Sequence, residues 1–260
     1  MRQGDRFLLV LIGLSIAISL ADLLSAGSVV TWLQGHLPGL AQITGSVLVN
    51  IGRLAWWLIL IPLGLAIAGR FIALPTAVHE INARFIRAIE AVTGMFGGAA
   101  RWFALGLVIA TAVIVIQRYV FGYASTKLQE SVIYMHALLF LLASASTLMA
   151  DGHVRVDVFF TQASARGKAW IDLAGTYLAL IPMSVLILWS STGYMASTWR
   201  ILERSRESDG LPFVFLLKTA IPLFAILMIL QGLSMASRAA LTLAGQSEPE
   251  KPRSLAEGEV

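Results

Sequence analysis

The sequence predicts an all-α membrane protein, a helical bundle of about six transmembrane helices. Three observations lead there. Of 260 residues, 57% are hydrophobic and only 13% are charged, against about 25% charged residues in a typical soluble domain. Mean hydropathy is +0.78, so there is more apolar side chain than one water-soluble core of this size can hide. Six separate stretches reach the roughly 20 mostly apolar residues needed to cross a hydrocarbon core about 30 Å thick. Together these exclude a soluble enzyme, a disordered chain and a secreted disulfide scaffold. The chain contains no cysteine, which removes disulfides, iron–sulfur clusters and thiolate zinc sites.

The first stretch, residues 7–24, follows Arg2 and Arg6. A signal-peptidase-like Leu24-Ser25-Ala26 closes it, so a cleaved signal peptide is one reading. The run is long for a signal core and Asp22 lies close to the would-be cleavage site; the expectation is a retained span. The second stretch is 46–69, with Arg53 near one end. Trp56 and Trp57, like Trp102, Trp170 and Trp199 at other span ends, fit an aromatic belt. Before the third stretch, 102–121, the apolar residues Ile81, Phe85, Ile89, Val92 and Phe96 recur every three or four positions, with Arg84, Arg87 and Glu90 off that stripe. Two readings stay open there: an amphipathic helix on the cytoplasmic membrane surface, or an extension of the third span. The remaining stretches are 131–150, 171–194 and 213–235. No glycine-interrupted half-helices of the kind that forms a transporter's substrate site are legible.

The net charge of +4 fits lysine and arginine held on the cytoplasmic side of a membrane. With the N-terminus inside, twelve of the 19 basic residues fall on the cytoplasmic side. The positive-inside tendency therefore supports cytoplasmic termini at both ends. The tail, 243–260, is rich in glutamate and proline, and a disordered cytoplasmic segment is expected.

Ionisable groups in spans are costly, so each raises a functional question. His136, in the fourth stretch, suits a haem ligand or a proton relay, or an imidazole hydrogen-bonded to a neighbouring helix. Bis-histidine haem ligation is disfavoured by distance, because His153 on one continuous helix would lie about 25 Å away. Arg53 and Arg118 can extend their side chains to the interface. Glu130 opens the fourth stretch and Asp172 the fifth, where a carboxylate favours the helix dipole; for Glu130 a contact with a partner protein is the other reading.

The most distinctive run is Asp151-Gly-His153-Val-Arg155-Val-Asp157, where charged side chains alternate with valine as the fourth span leaves the membrane. Gly152 would permit the turn. General acid–base catalysis would need a nucleophile or metal partner that the sequence does not supply. One histidine and two carboxylates are too few for a convincing metal site. The third reading is an ion-pair network that fixes this short loop or docks another subunit.

This run, following an apolar span, resembles the signature of the small membrane subunit of TRAP transporters, the DctQ-like family. Arg118-Tyr-Val-Phe-Gly122, Leu128-Gln-Glu130, Gly210-Leu-Pro212, Leu217-Lys218, Ile221-Pro222 and Leu230-Gln-Gly232 are similar to family features in the same order. The resemblance covers about residues 85–242 and divides the chain into three parts. These are a two-span N-terminal extension (1–80), which departs from the family's four spans, a four-span small-permease-like domain (81–242) and the tail (243–260).

The resemblance implies a non-catalytic subunit of a sodium-coupled tripartite importer of small organic acids. It would sit in the bacterial inner membrane beside a large elevator-type permease subunit and a periplasmic substrate-binding protein, with no cofactor of its own. Its role there would be that of a scaffold. The subgroup resemblance tilts the substrate toward 2-oxo acids over dicarboxylates. The resemblance and the residues together point to Asp151, His153, Arg155, Asp157, Glu130 and Arg118 as subunit-interface or scaffold positions. The alternative is a haem- or quinone-associated membrane anchor of a redox complex, which a Soret band would reveal. A self-sufficient small transporter is a third reading, and solute flux through liposomes holding the chain alone would support it.

Overall fold

The computed structural model describes residues 3–153 and 160–250. Among them every regular element is helical. The helices are α1 (Gln3–Leu24), α2 (Ser28–Ala55), α3 (Ile61–Phe71), α4 (Thr76–Val120), α5 (Thr126–Met149), α6 (Ala165–Gly175), α7 (Ile181–Arg200) and α8 (Val214–Leu243). A 3₁₀ turn at Trp56–Leu60 joins α2 to α3, and a π turn at Thr176–Leu180 makes α6 and α7 one helical run. Five helical runs are long and apolar enough to cross a membrane: α1, α4, α5, α6–α7 and α8; α2 and α3 qualify only taken together.

Local chemistry sets the ends. Ser164 caps α6 by accepting a hydrogen bond from the Gly167 amide at 3.2 Å. Pro62 stands in the first turn of α3, where a missing N–H costs least. It cannot donate to the Ile59 carbonyl three residues back, and the Tyr177 hydroxyl does so instead at 2.6 Å. The turn out of α5 is made by Asp151, at φ +55, with the Gly152 amide on the Thr147 carbonyl at 2.9 Å. Aspartate tolerates this left-handed conformation, so the residue before the expected Gly152 makes the turn.

Two readings of the sequence are resolved here. The amphipathic pattern before the third span belongs to α4, one unbroken helix of 45 residues, which at 1.5 Å per residue is about 68 Å long. Its apolar stripe faces outward only in part: Ile81, Phe85 and Val92 are exposed, whereas Ile89 of the stripe is buried together with Asn82, Ile86, Glu90 and Thr93, and Phe96 is half-buried. In a bilayer an outward apolar face meets hydrocarbon, and small and polar side chains pack between helices. The second stretch is not one uninterrupted helix either, because the 3₁₀ turn at Trp56–Leu60 falls inside it.

The chain forms two compact units that interleave along the sequence. One comprises Met1–Ile51, Met95–Ala143 and Ser190–Leu223; the other comprises Gly52–Gly94, Ser144–Trp189 and Phe224–Val260. In the first unit α1 lies against α4. Gly4 packs on Gly98, where a side chain at Gly4 would stand 2.6 Å from backbone. Asp5 pairs with Arg101 and accepts from the Trp102 indole at 3.0 Å, and the rings of Phe7 and Phe96 meet edge to face. In the second unit, Ala66, Ala169, Leu173, Ala236, Ala239 and Ala240 form a core of mostly small residues. Gly232 lies so near Leu180 that an added Cβ would come within 2.9 Å of it.

Candidate functional site

Apart from the Asp5–Arg101 pair, two clusters of described charges stand out, one in each unit. In the second unit Glu90 of α4 meets Arg238 of α8. Arg238 Nε donates to Glu90 Oε1 at 2.7 Å and Nη2 donates to Oε2 at 2.8 Å, the parallel fork that guanidinium and carboxylate favour. Ser234, one turn before Arg238, donates to the same Oε1 at 2.8 Å. The third guanidinium nitrogen, Nη1, donates to the Pro249 carbonyl at 2.7 Å. The two side chains are 8% and 3% exposed. Nearby on the same pair of helices the Asn82 amide donates to the Ser237 carbonyl at 3.1 Å. A buried charge pair is tolerable only when its remaining valences are satisfied, and this pair meets that condition.

The first unit holds a clamp around residues 203–211. Glu130 of α5 accepts from the Ser205 hydroxyl and from the Leu211 amide at 2.5 Å. Gly210 is there because nothing larger fits: an added Cβ would lie 2.3 Å from Ser205 Oγ and 2.8 Å from Glu130 Oε1. Beside it, Glu203 accepts from the Lys218 ammonium at 2.6 Å and the Thr198 hydroxyl at 2.8 Å. Those two donors hold the Glu203 carboxyl below the usual carboxylate range. Trp199 donates to the Thr219 hydroxyl at 3.0 Å and packs edge to face on Phe215. Two carboxylates thus fix the connection between α7 and α8 to the ends of both helices and to α5.

The family model of the DctQ component of tripartite ATP-independent periplasmic transporters matches residues 107–242. The chain belongs to the DctQ family. It is therefore the small membrane subunit of a TRAP transporter, a multi-pass transport protein that works with a large permease and a substrate-binding protein. No curated protein and no solved structure matches the chain.

Within this DctQ subunit the sites read from sequence separate. Glu130 is half-buried at the centre of the clamp, a more specific placement than a helix-dipole contact. Arg118 is exposed in the last turn of α4. Asp151 and His153 are exposed just beyond α5, and Arg155 and Asp157 lie outside the described residues. Asp172 sits inside α6 rather than at its start. The ring of His136 lies beside that of Phe140, with centroids 6.5 Å apart. Among the described residues no group of three histidines or carboxylates is placed to hold a metal ion.

Sequence reasoning missed the Glu90–Arg238 pair. Its signal was present on one side, since Glu90 stands off the apolar stripe of its helix. Arg238, however, looked like one more basic residue at the end of a span. The clamp is visible in the sequence only in pieces: Glu130, Gly210-Leu-Pro212 and Leu217-Lys218 each resemble a separate family feature, and the fold makes them neighbours.

Proposed function

We propose that this DctQ subunit is the non-catalytic scaffold of a sodium-coupled importer of small organic acids, and that the large permease subunit carries the substrate and the coupling ions. The observation that carries the reading is the engagement of Glu90, Arg238, Glu130, Glu203 and Lys218 with partners of their own unit. A subunit whose interior charges are already matched is suited to hold a shape rather than to capture and release an anion. In this reading residues 81–242 are the four-span small-permease domain, 1–80 an extension and 243–260 a cytoplasmic tail. Both termini face the cytoplasm of a bacterial inner membrane.

That orientation puts the Glu130 clamp on the periplasmic side and Asp151, His153, Arg155 and Asp157 on the cytoplasmic side. These four residues, together with Arg118 in the last turn of α4, are the proposed contacts that brace the subunit or join it to the large permease. Affinity purification of the tagged chain from native membranes in mild detergent, followed by mass spectrometry, tests the assembly. A many-span permease should co-purify in near-equal amount, and Arg155→Ala should lower its recovery or the transport rate. Full recovery and full transport by Arg155→Ala would refute the role given to that segment. Co-purification of haem or iron–sulfur subunits would refute the reading as a whole.

A further inference from the structure

Arg238 is completed by residues that lie beyond its own helix. Glu90 takes Nε and Nη2, and the third nitrogen, Nη1, is met by the chain that follows α8. It donates to the Pro249 carbonyl at 2.7 Å and, at 3.4 Å, to Glu248 Oε2. The other carboxylate oxygen of Glu248 accepts from the Thr242 hydroxyl. A reversal of the chain makes this reach possible. Gly245 stands at φ +71, a left-handed conformation that glycine adopts readily. Its amide donates to the Thr242 carbonyl at 3.1 Å and the Gln246 amide to the Leu241 carbonyl at 2.9 Å, the two bonds of a Schellman cap. The turn starts from a fixed point, because Ala244 lies against Gly69 of α3, where an added Cβ would stand 3.2 Å from it. The tail therefore begins with residues bonded to the helix they follow.

A guanidinium whose side chain is 8% exposed has little water to replace a missing acceptor, and buried polar groups need their partners. Among the described residues both acceptors of Nη1 belong to 248 and 249. We propose that residues 246–250 form a strap that locks α8 against α4 by closing the coordination of Arg238, so that the tail is a handle on a buried ion pair. Whatever grips the tail and draws it away removes the carbonyl from Nη1 and admits water to the guanidinium. The fork to Glu90 remains but now joins a carboxylate to a partly hydrated partner, and the contact between the two helices loosens without breaking. The strap thus couples an exposed segment to the interior of the second unit.

Two changes release the strap. Ending the chain after Gly245 deletes it. Gly245→Val keeps every residue but denies the turn, since a β-branched side chain is strained at positive φ even where nothing stands within 4 Å of its Cβ. Melting temperature in detergent micelles should fall by about 3–6 °C in either variant, the low end for a charged hydrogen bond because water reaches the freed nitrogen. With Glu90→Gln and Arg238→Met in place there is no guanidinium to close, and the same changes should shift melting less than half as far. A glutamyl endopeptidase reads the strap itself. Cleavage after Glu250 needs residues 247–250 drawn free, so the Glu90→Gln, Arg238→Met protein should be cut there several-fold faster than wild type. An equal melting loss in both backgrounds would overturn the proposal by placing the effect of the tail elsewhere. Unchanged melting of both strap variants would overturn it too, as would equal cleavage after Glu250 with and without Arg238.

Discussion

Arg238→Ala is the substitution that asks most of the structure. It removes two charge-assisted hydrogen bonds to Glu90, at 2.7 and 2.8 Å, a longer one to Glu248 at 3.4 Å and the one to the Pro249 carbonyl. Glu90 is left with the Ser234 hydroxyl as its described hydrogen-bond donor and a side chain only 3% exposed. Removing one member of a buried pair costs about 3–5 kcal/mol, mostly because the survivor stays buried without compensation. For a chain of this size each kcal/mol moves the melting temperature by about 2–4 °C, so a fall of roughly 6–20 °C is expected.

Thermal unfolding followed by the intrinsic fluorescence of the seven tryptophans in detergent micelles measures it. The pair itself is isolated by Glu90→Gln with Arg238→Met, which removes both charges at similar volume. The double variant should melt well above Arg238→Ala, because replacing both members of a buried pair is often neutral. An Arg238→Ala protein melting within about 1 °C of wild type, or a double variant no more stable than the single, would refute the argument.

Gly210→Ala forces a methyl group into the space held by Ser205 and Glu130. It should destabilise the protein by about 1–3 kcal/mol, with proteolytic nicking between residues 203 and 213 as the local readout; an unchanged digestion pattern would contradict the clamp. Glu203 carries a pH dependence. Its carboxyl is held below the ordinary 4.5 by Lys218 and Thr198, so its stabilisation is complete above that value and is lost as pH falls through the depressed one. Melting temperature should therefore drop more steeply below pH 4.5 in wild type than in Glu203→Gln, and parallel curves would rule this out. Gly4→Ala places a Cβ 2.6 Å from the backbone of Gly98, so α1 must move off α4 and Asp5 must leave Arg101 and Trp102. A cysteine pair at Phe7 and Phe96 that cross-links in the parent should fail to do so in this variant, and undiminished cross-linking would count against that packing.

The helical class was legible because transfer free energy acts on every residue of a span, so α1, α5, α7 and α8 each announce themselves in a short window. The run before Trp102 was legible as a helix but not as to its direction. A stripe of isoleucine, phenylalanine and valine means protein interior in water and lipid in a membrane, and the sequence alone does not say which solvent that turn meets. Glu90 and Arg238 stand 148 positions apart, and nothing in the neighbourhood of either names the other. The Glu130 clamp was half legible. Its glycine, carboxylate and lysine each stood out as family features, but the reason for Gly210 is a distance of 2.3 Å to Ser205, and distances between elements are not written in a single sequence.

The separation between Glu90 and Arg238 also sets a schedule. A ribosome adds about 5–20 residues per second, so the 148 positions that divide the pair correspond to roughly 7–30 s. Throughout that interval α4 exists with its carboxylate and without the guanidinium that neutralises it. The turn of α4 around Glu90 therefore stays in contact with water, or with the insertion machinery, until α8 emerges and closes the bundle. A chain that stops short of residue 238 presents an unmatched acidic helix face, a mark by which an unfinished subunit differs from a finished one.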